Sequence, residues 1–170
     1  MKKSFLIVVL ALTAFVSAEA QTPLRYRGSV DFGYGISVSV EQMHGFELRT
    51  VHGVDIGDNF FVGLGAGAMR LSEYGYDYNY AMWFMPLSVE GRAYVNSHSS
   101  TRLFFSAQVG SNVPISNEAQ ECGGIFFEPA IGMAIDMRGG GRVHLSLGFK
   151  SMTIDGFQMS AVRLGIGYAF

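Results

Sequence analysis

The chain has 170 residues, room for one domain, and carries 12 basic against 14 acidic side chains. That balance supplies no basic patch and argues against nucleic acid as a partner, while the single cysteine, Cys122, excludes an intrachain disulfide. Apolar residues make up 49% of the chain and charged ones only 15%. Past the amino-terminal segment, however, no apolar run approaches the roughly 18 residues of a membrane helix, so the hydrophobicity must be spread by alternation, as in strands with one oily face.

At the amino terminus Lys2 and Lys3 precede an apolar stretch from Phe5 to Val16, and Ala18-Glu19-Ala20 follows as a small-x-small site. This is the layout of a secretory signal. The 12 apolar residues are too few to cross a bilayer as a helix, which takes roughly 20. The sequence predicts cleavage after Ala20 and one exported domain over residues 21–170, with 10 basic and 13 acidic residues. Cys122 is far from the cleavage site, so it is not a lipid-attachment cysteine, and it reads as a loop residue.

Eight stretches then alternate with a period of two. The first sets Tyr26, Phe32, Tyr34, Ile36 and Val38 against Arg27, Ser29, Asp31, Ser37 and Ser39; the second sets Phe46, Leu48, Val54 and Ile56 against Glu47, Arg49 and Asp55. The third opposes Val62, Leu64, Ala66 and Ala68 to Gly63, Gly65 and Gly67, and the fourth opposes Trp83, Met85, Leu87, Val89, Ala93 and Val95 to Ser88, Glu90 and Arg92. In the fifth, Leu103, Phe105, Ala107 and Val109 face away from Arg102, Ser106 and Gln108. The sixth separates Ile125, Phe127, Ile131, Met133, Ile135 and Met137 from Glu128 and Asp136. The seventh separates Val143, Leu145, Leu147 and Phe149 from His144, Ser146 and Lys150, and the eighth Val162, Leu164, Ile166, Tyr168 and Phe170 from Arg163, Gly165 and Gly167.

Of thirteen charged residues in these stretches twelve share the polar face, and Arg70 is the exception. The twelve divide evenly: Arg27, Arg49, Arg92, Arg102, Lys150 and Arg163 against Asp31, Glu47, Asp55, Glu90, Glu128 and Asp136. A solvated surface has no need of such balance, whereas an enclosed lumen does, because an unpaired buried charge is costly. Glycine crowds the same face, which weakens a solvated strand but makes room for arginine inside a narrow barrel. The apolar face places Tyr26, Phe105, Tyr168 and Phe170 toward one rim and Phe46, Trp83, Phe127 and Phe149 toward the other, as two interfacial girdles would. The expectation is an all-β, eight-stranded antiparallel transmembrane β-barrel rather than a soluble carrier with an oily interior.

Short turns are expected at Gly57 to Asn59, Asn96 to Ser100 and Arg138 to Gly141, on the periplasmic side. Longer outer connections are expected around Glu41 to His44, Ser72 to Tyr80, Asn112 to Gly123 and Ser151 to Phe157. Pro86 and Pro129 fall inside strands and remove ladder donors, so bulges or local edge-like pairing are expected there.

The carboxyl-terminal run Arg163-x-Gly165-x-x-Tyr168-x-Phe170 resembles the assembly signal of outer-membrane barrels. With the alternation and the export signal, the chain from residue 21 onward resembles the small outer-membrane β-barrel superfamily, OmpA/OmpX-like and opacity-like. The resemblance implies an outer-membrane location and contact with outer-membrane lipid, lipopolysaccharide and the barrel-assembly machinery, the last through Gly165, Tyr168 and Phe170.

Chemistry is sparse. Gly63-x-Gly65-x-Gly67 lacks the helix a nucleotide fingerprint requires, and Gly139-Gly140-Gly141 lacks a following Lys-Ser/Thr. His44, His52, His98 and His144 show no metal-ligand spacing, so neither a metal nor a cofactor is expected. His144 and Ser146 raise an alternative, since a histidine and a serine two apart on a strand resemble those of barrels that deacylate lipid A, with Glu128 or Asp136 to orient the imidazole. Parity turns both into the lumen, away from lipid. A small pore is the other alternative, although eight strands enclose a space that side chains just fill. The role expected is structural or interactive at the cell surface, without catalysis. Tyr74, Tyr76, Tyr78 and Tyr80 form a candidate contact surface for an extracellular protein or glycan, and Arg70 is placed to reach a lipopolysaccharide phosphate.

Overall fold

The computed structural model describes residues 23–39, 43–73, 81–95, 100–116, 119, 123–154 and 157–170. Eight strands run in chain order: β1 (Leu24–Ser37), β2 (Met43–Ile56), β3 (Phe60–Glu73), β4 (Ala81–Val95), β5 (Thr101–Pro114), β6 (Gly124–Asp136), β7 (Arg142–Ile154) and β8 (Phe157–Ala169). Each pairs antiparallel with its neighbours, and β1 meets β8 from Ser29↔Ala169 to Ser37↔Ala161, so the sheet closes into a barrel with no free edge. Strands of 13 to 15 residues, at about 3.3 Å per residue and tilted about 40°, stand about 33 Å tall, enough to cover an apolar band of about 25 Å.

The two faces follow the alternation. Phe32, Leu48, Leu64, Leu87, Val109, Ile131, Leu147 and Leu164 are exposed on the outer wall, whereas Asp31, Glu47, Arg49, Glu90, Arg92, Glu128, Lys150 and Arg163 are buried inside. Period-two patterning sets this parity, because a slip of one residue would turn every side chain to the wrong side.

Two expectations change. His44, Ser72, Asn112 and Ser151 lie in strands rather than in loops, and the β7–β8 hairpin stays paired to Ile154↔Phe157. At this end the pattern inverts: Met43, Leu71, Met152 and Met159 are apolar residues that point inward and are buried, so polarity there no longer marks the outer face and the strand signal fades. The prolines produce no bulge. Ala66↔Leu87 and Met69↔Phe84 keep one register across Pro86, as Phe127↔Ser151 and Ala130↔Gly148 do across Pro129. Each proline stays paired on its other side, as Pro86↔Asn112 and Ala107↔Pro129, so the missing N–H interrupts a single ladder. The turns after β2 and β6 are closed by Gly57, Gly139 and Gly140 at φ of 63°, 113° and 93°, values that suit glycine.

Candidate functional site

Inside the barrel the side chains are stacked in layers. The central layer holds four cations, Arg49, Arg92, Lys150 and Arg163, and four carboxylates, Asp31, Glu47, Glu90 and Glu128, all buried. Arg92 donates through Nε to Glu90 and lies 3.7 Å from Asp31. Arg49 donates to Gln108, whose amide in turn donates to Glu90 at 2.8 Å, and Arg49 also stands 3.7 Å from Glu90 and 3.9 Å from both Asp31 and Glu47. Lys150 Nζ donates to Glu47 at 2.8 Å, and Arg163 donates to Glu128 at 3.0 Å. No carboxylate belongs to a single cation. Desolvating eight charges is tolerable only in such a mesh, since the loss of one member leaves an uncompensated charge in the interior.

Every strand except β3 contributes to this mesh, and β3 presents Gly63, Gly65 and Gly67 to it. Space is the limiting quantity. A Cβ on Gly33 would collide with the guanidinium of Arg163, and one on Gly167 with Asp31 and His144. The lateral row Asp31↔Gly167↔His144 explains the second case: with no side chain between them, Asp31 and the His144 imidazole meet over the glycine.

Apolar layers lie on both sides of the mesh. Toward the end where β1 begins lie Val51, Phe61, Tyr94, Phe104 and Ala134. Toward the other end lie Met43, Met69, Leu71, Phe84, Phe126, Met152 and Met159. Each layer also touches the charges. The Arg92 guanidinium sits 5.3 Å from the Phe61 ring and 5.8 Å from Phe104, and Lys150 Nζ sits 4.3 Å from Phe126. Beyond the aromatic layer a second ionic cluster occupies the mouth, with Arg27–Asp55 at 2.5 Å and Arg102–Asp136 and Arg142–Asp136 both at 2.7 Å.

The charged residues expected in one network therefore divide. Asp31, Glu47, Arg49, Glu90, Arg92, Glu128, Lys150 and Arg163 come together in the centre, whereas Arg27, Asp55, Arg102 and Asp136 stand apart at the mouth. Arg142, adjoining a turn, joins the mouth cluster without having been expected there. The sealing layers were not foreseen either, because Val51, Phe61, Phe84, Phe104 and Phe126 are apolar residues on the polar parity. Their position opposite the outward Leu48, Val62, Met85, Phe105 and Phe127 was the available signal. His144 is oriented by neither Glu128 nor Asp136; its partner is Asp31. Asp136 is held by two arginines, and Glu128 stands beside Arg163 and Lys150. Ser146 shares the inner face with His144, in lateral register with Gly132 and Gly165.

On the outer wall, Arg70 pairs laterally with Phe46 and Trp83, whose rings meet edge to face at 5.9 Å. Gly165 faces inward, and Tyr168 and Phe170 face outward. Phe170 exchanges backbone hydrogen bonds of 2.8 and 3.1 Å with Gly28, and its ring covers that glycine. Tyr74, Tyr76, Tyr78, Tyr80, His98 and Cys122 lie outside the described residues. An outward polar chain went unread in the sequence: Tyr26 Oη bonds His52 Nδ1 at 2.6 Å, His52 Nε2 bonds Thr50 Oγ1 at 2.8 Å, and Thr50 donates to the Ser29 carbonyl at 3.0 Å.

No protein-family model matches this sequence, and no curated protein matches it. Solved structures do. Neisserial surface protein A shares 10% identity over 86% of this chain and 97% of its own, with a TM-score of 0.65. Ail of Yersinia pestis, solved with the heparin analogue sucrose octasulfate, is 12% identical over 86% of this chain and 99% of its own, with a TM-score of 0.49. The amino-terminal β-barrel domain of Pseudomonas aeruginosa OprF is 12% identical over 87% of this chain and all of its own, at 0.48. At 10% identity the similarity to Neisserial surface protein A is one of fold, and the closed eight-stranded antiparallel barrel is the fold that the alternation predicts.

Proposed function

We propose that this protein is a closed, non-conducting barrel of the outer membrane with a structural or surface-contact role. One observation carries the reading: an apolar wall surrounds a lumen whose central charges are balanced four against four, with an apolar layer on either side of them. Such a wall is unfavourable in water, where contiguous apolar surface of this extent drives association, and favourable against lipid. In this setting the outward girdle would hold the barrel at the interfaces, Arg70 would meet a lipopolysaccharide phosphate, and the closing strand with Gly165, Tyr168 and Phe170 would engage the assembly machinery. Residues 74–80, with their four tyrosines, are the proposed contact surface for an extracellular protein or glycan.

Neither alternative gains an observation in its favour. His144 is buried beneath the outer wall and bonded to Asp31, and a lipid-cleaving site has to meet lipid. The two apolar layers lying across the lumen argue against a pore. The test is electrophoresis of the protein in detergent before and after boiling, joined to planar-bilayer recording. A change of mobility on boiling and silent bilayers are expected, whereas a water-soluble monomer or large steady conductance would overturn the reading. Deleting residues 74–80 from the folded barrel is expected to abolish surface binding, and unchanged binding would end the contact proposal.

A further inference from the structure

We propose that the mouth at which β1 begins and β8 ends binds a small oxyanion, a carboxylate or a phosphate group. The mouth encloses a cavity of about 180 Å³ in which arginine outnumbers carboxylate. Arg27 is matched by Asp55 at 2.5 Å. Asp136, however, serves two guanidinium groups at once: Oδ2 lies 2.7 Å from Arg102 and Oδ1 2.7 Å from Arg142. Both carboxylate oxygens are committed, and one positive charge remains. Arg25 and Asp58 line the same cavity and offset each other, so the surplus stands.

A second observation is independent of the count. Arg102 Nε is buried and has no acceptor among the described residues, while the same guanidinium already reaches the Asp58 carbonyl at 3.3 Å and the Asp136 carboxylate. A buried guanidinium N–H without an acceptor is unfavourable, and the same side chain lines a cavity that has room for a group of a few heavy atoms together with some water. The planar fork of arginine suits two oxygens of one oxyanion better than a halide. The floor of the cavity is the aromatic layer, with Tyr94 only 4.8 Å from the Arg142 guanidinium. That low-dielectric floor stops the anion from moving further into the barrel and concentrates the field of the arginines. This inference concerns the barrel's end alone and does not depend on which membrane surrounds it.

The experiment uses the folded full chain in an uncharged, phosphate-free maltoside detergent. Inorganic phosphate and acetate are titrated separately at constant ionic strength, with binding followed by calorimetry and by the amide resonances of residues 136–142. Saturable binding is expected, with the two anions competing. Arg102→Gln is expected to weaken it about 10-fold, the order of a lost charge-assisted hydrogen bond. Asp136→Asn is expected to strengthen it severalfold by releasing two guanidinium groups, an effect that a purely structural ion pair would not produce; it also covers the case in which Arg102→Gln does not fold. In nanodiscs of anionic phospholipid, resonances already at their saturated positions would identify a lipid headgroup as the source. Movement only on added phosphate would identify a free anion; either result supports the site. Absence of saturable binding, or identical affinity in the two variants and the parent chain, would overturn it.

Discussion

The central charge layer and the methionine-rich layer above it lie side by side in one lumen and solve the same packing problem in opposite ways. The first fills space with eight charges that have no tolerance for the loss of a member. The second uses Met43, Met69, Met152 and Met159 with Phe84 and Phe126, side chains that adapt to irregular gaps. The charged layer should therefore be brittle and specific, the methionine layer forgiving. Removing one carboxylate tests this contrast most severely. Glu90 is 1% exposed, touches Arg92 and Arg49 and accepts from Gln108, so Glu90→Leu is expected to cost about 3–5 kcal/mol by stranding a guanidinium. The readout is the urea midpoint of reversible unfolding into lipid vesicles. A loss below about 1 kcal/mol would mean that water reaches the layer, as it does at surface ion pairs.

The methionine layer provides the matching measurement. Met152→Ala, at a buried site where Met152 Sδ also lies 3.7 Å from the Asn112 amide, is expected to cost about 2–3 kcal/mol, at the low end for a deleted core side chain because neighbouring methionines can close on the gap. A cost equal to that of Glu90→Leu in the same vesicles would erase the distinction between the layers.

Crowding sharpens the comparison further. Gly33 faces the Arg163 guanidinium with no room for a methyl group. Gly33→Ala is expected to cost about 1–3 kcal/mol by displacing the arginine, the usual range for overpacking. Gly91, where an added Cβ meets nothing within 4 Å, is the control; Gly91→Ala should leave the midpoint within about 0.5 kcal/mol of the parent.

Legibility in the sequence follows the same division. The barrel and its parity were readable because period-two alternation is imposed by the backbone and holds wherever lipid-like and lumen-like residues differ in polarity. The central charges were readable one by one, since Glu47, Arg49, Glu90 and Arg92 all interrupt oily runs at the right parity. Their grouping was not. Which of them share a level depends on strand stagger, and stagger separated Arg27, Arg102 and Asp136 from the rest. Glycine hid the pairing of Asp31 with His144, because two strands apart they meet only through the gap at Gly167. The sealing layers were lost for a simpler reason: where both parities are apolar, as at Phe84-Met85 and Phe126-Phe127, alternation carries no information about which residue turns inward.

The outer wall supplies the smallest effect and the reverse case, polar groups on the oily side. Tyr26, His52 and Thr50 form a hydrogen-bonded chain outside the barrel near the end where β1 begins, with Tyr26 and His52 rings 6.1 Å apart and stacked. Each exposed polar group is satisfied by its neighbour, and Thr50 by the Ser29 carbonyl, which would lower the cost of facing lipid. His52→Ala removes two hydrogen bonds but also lets apolar surface meet the bilayer, so its net cost is expected to be about 1 kcal/mol or less. His52→Leu should be neutral or slightly stabilising in vesicles. A loss of several kcal/mol from either variant would mean that this chain is packed away from both lipid and water, and the assignment of inner and outer faces would fail with it.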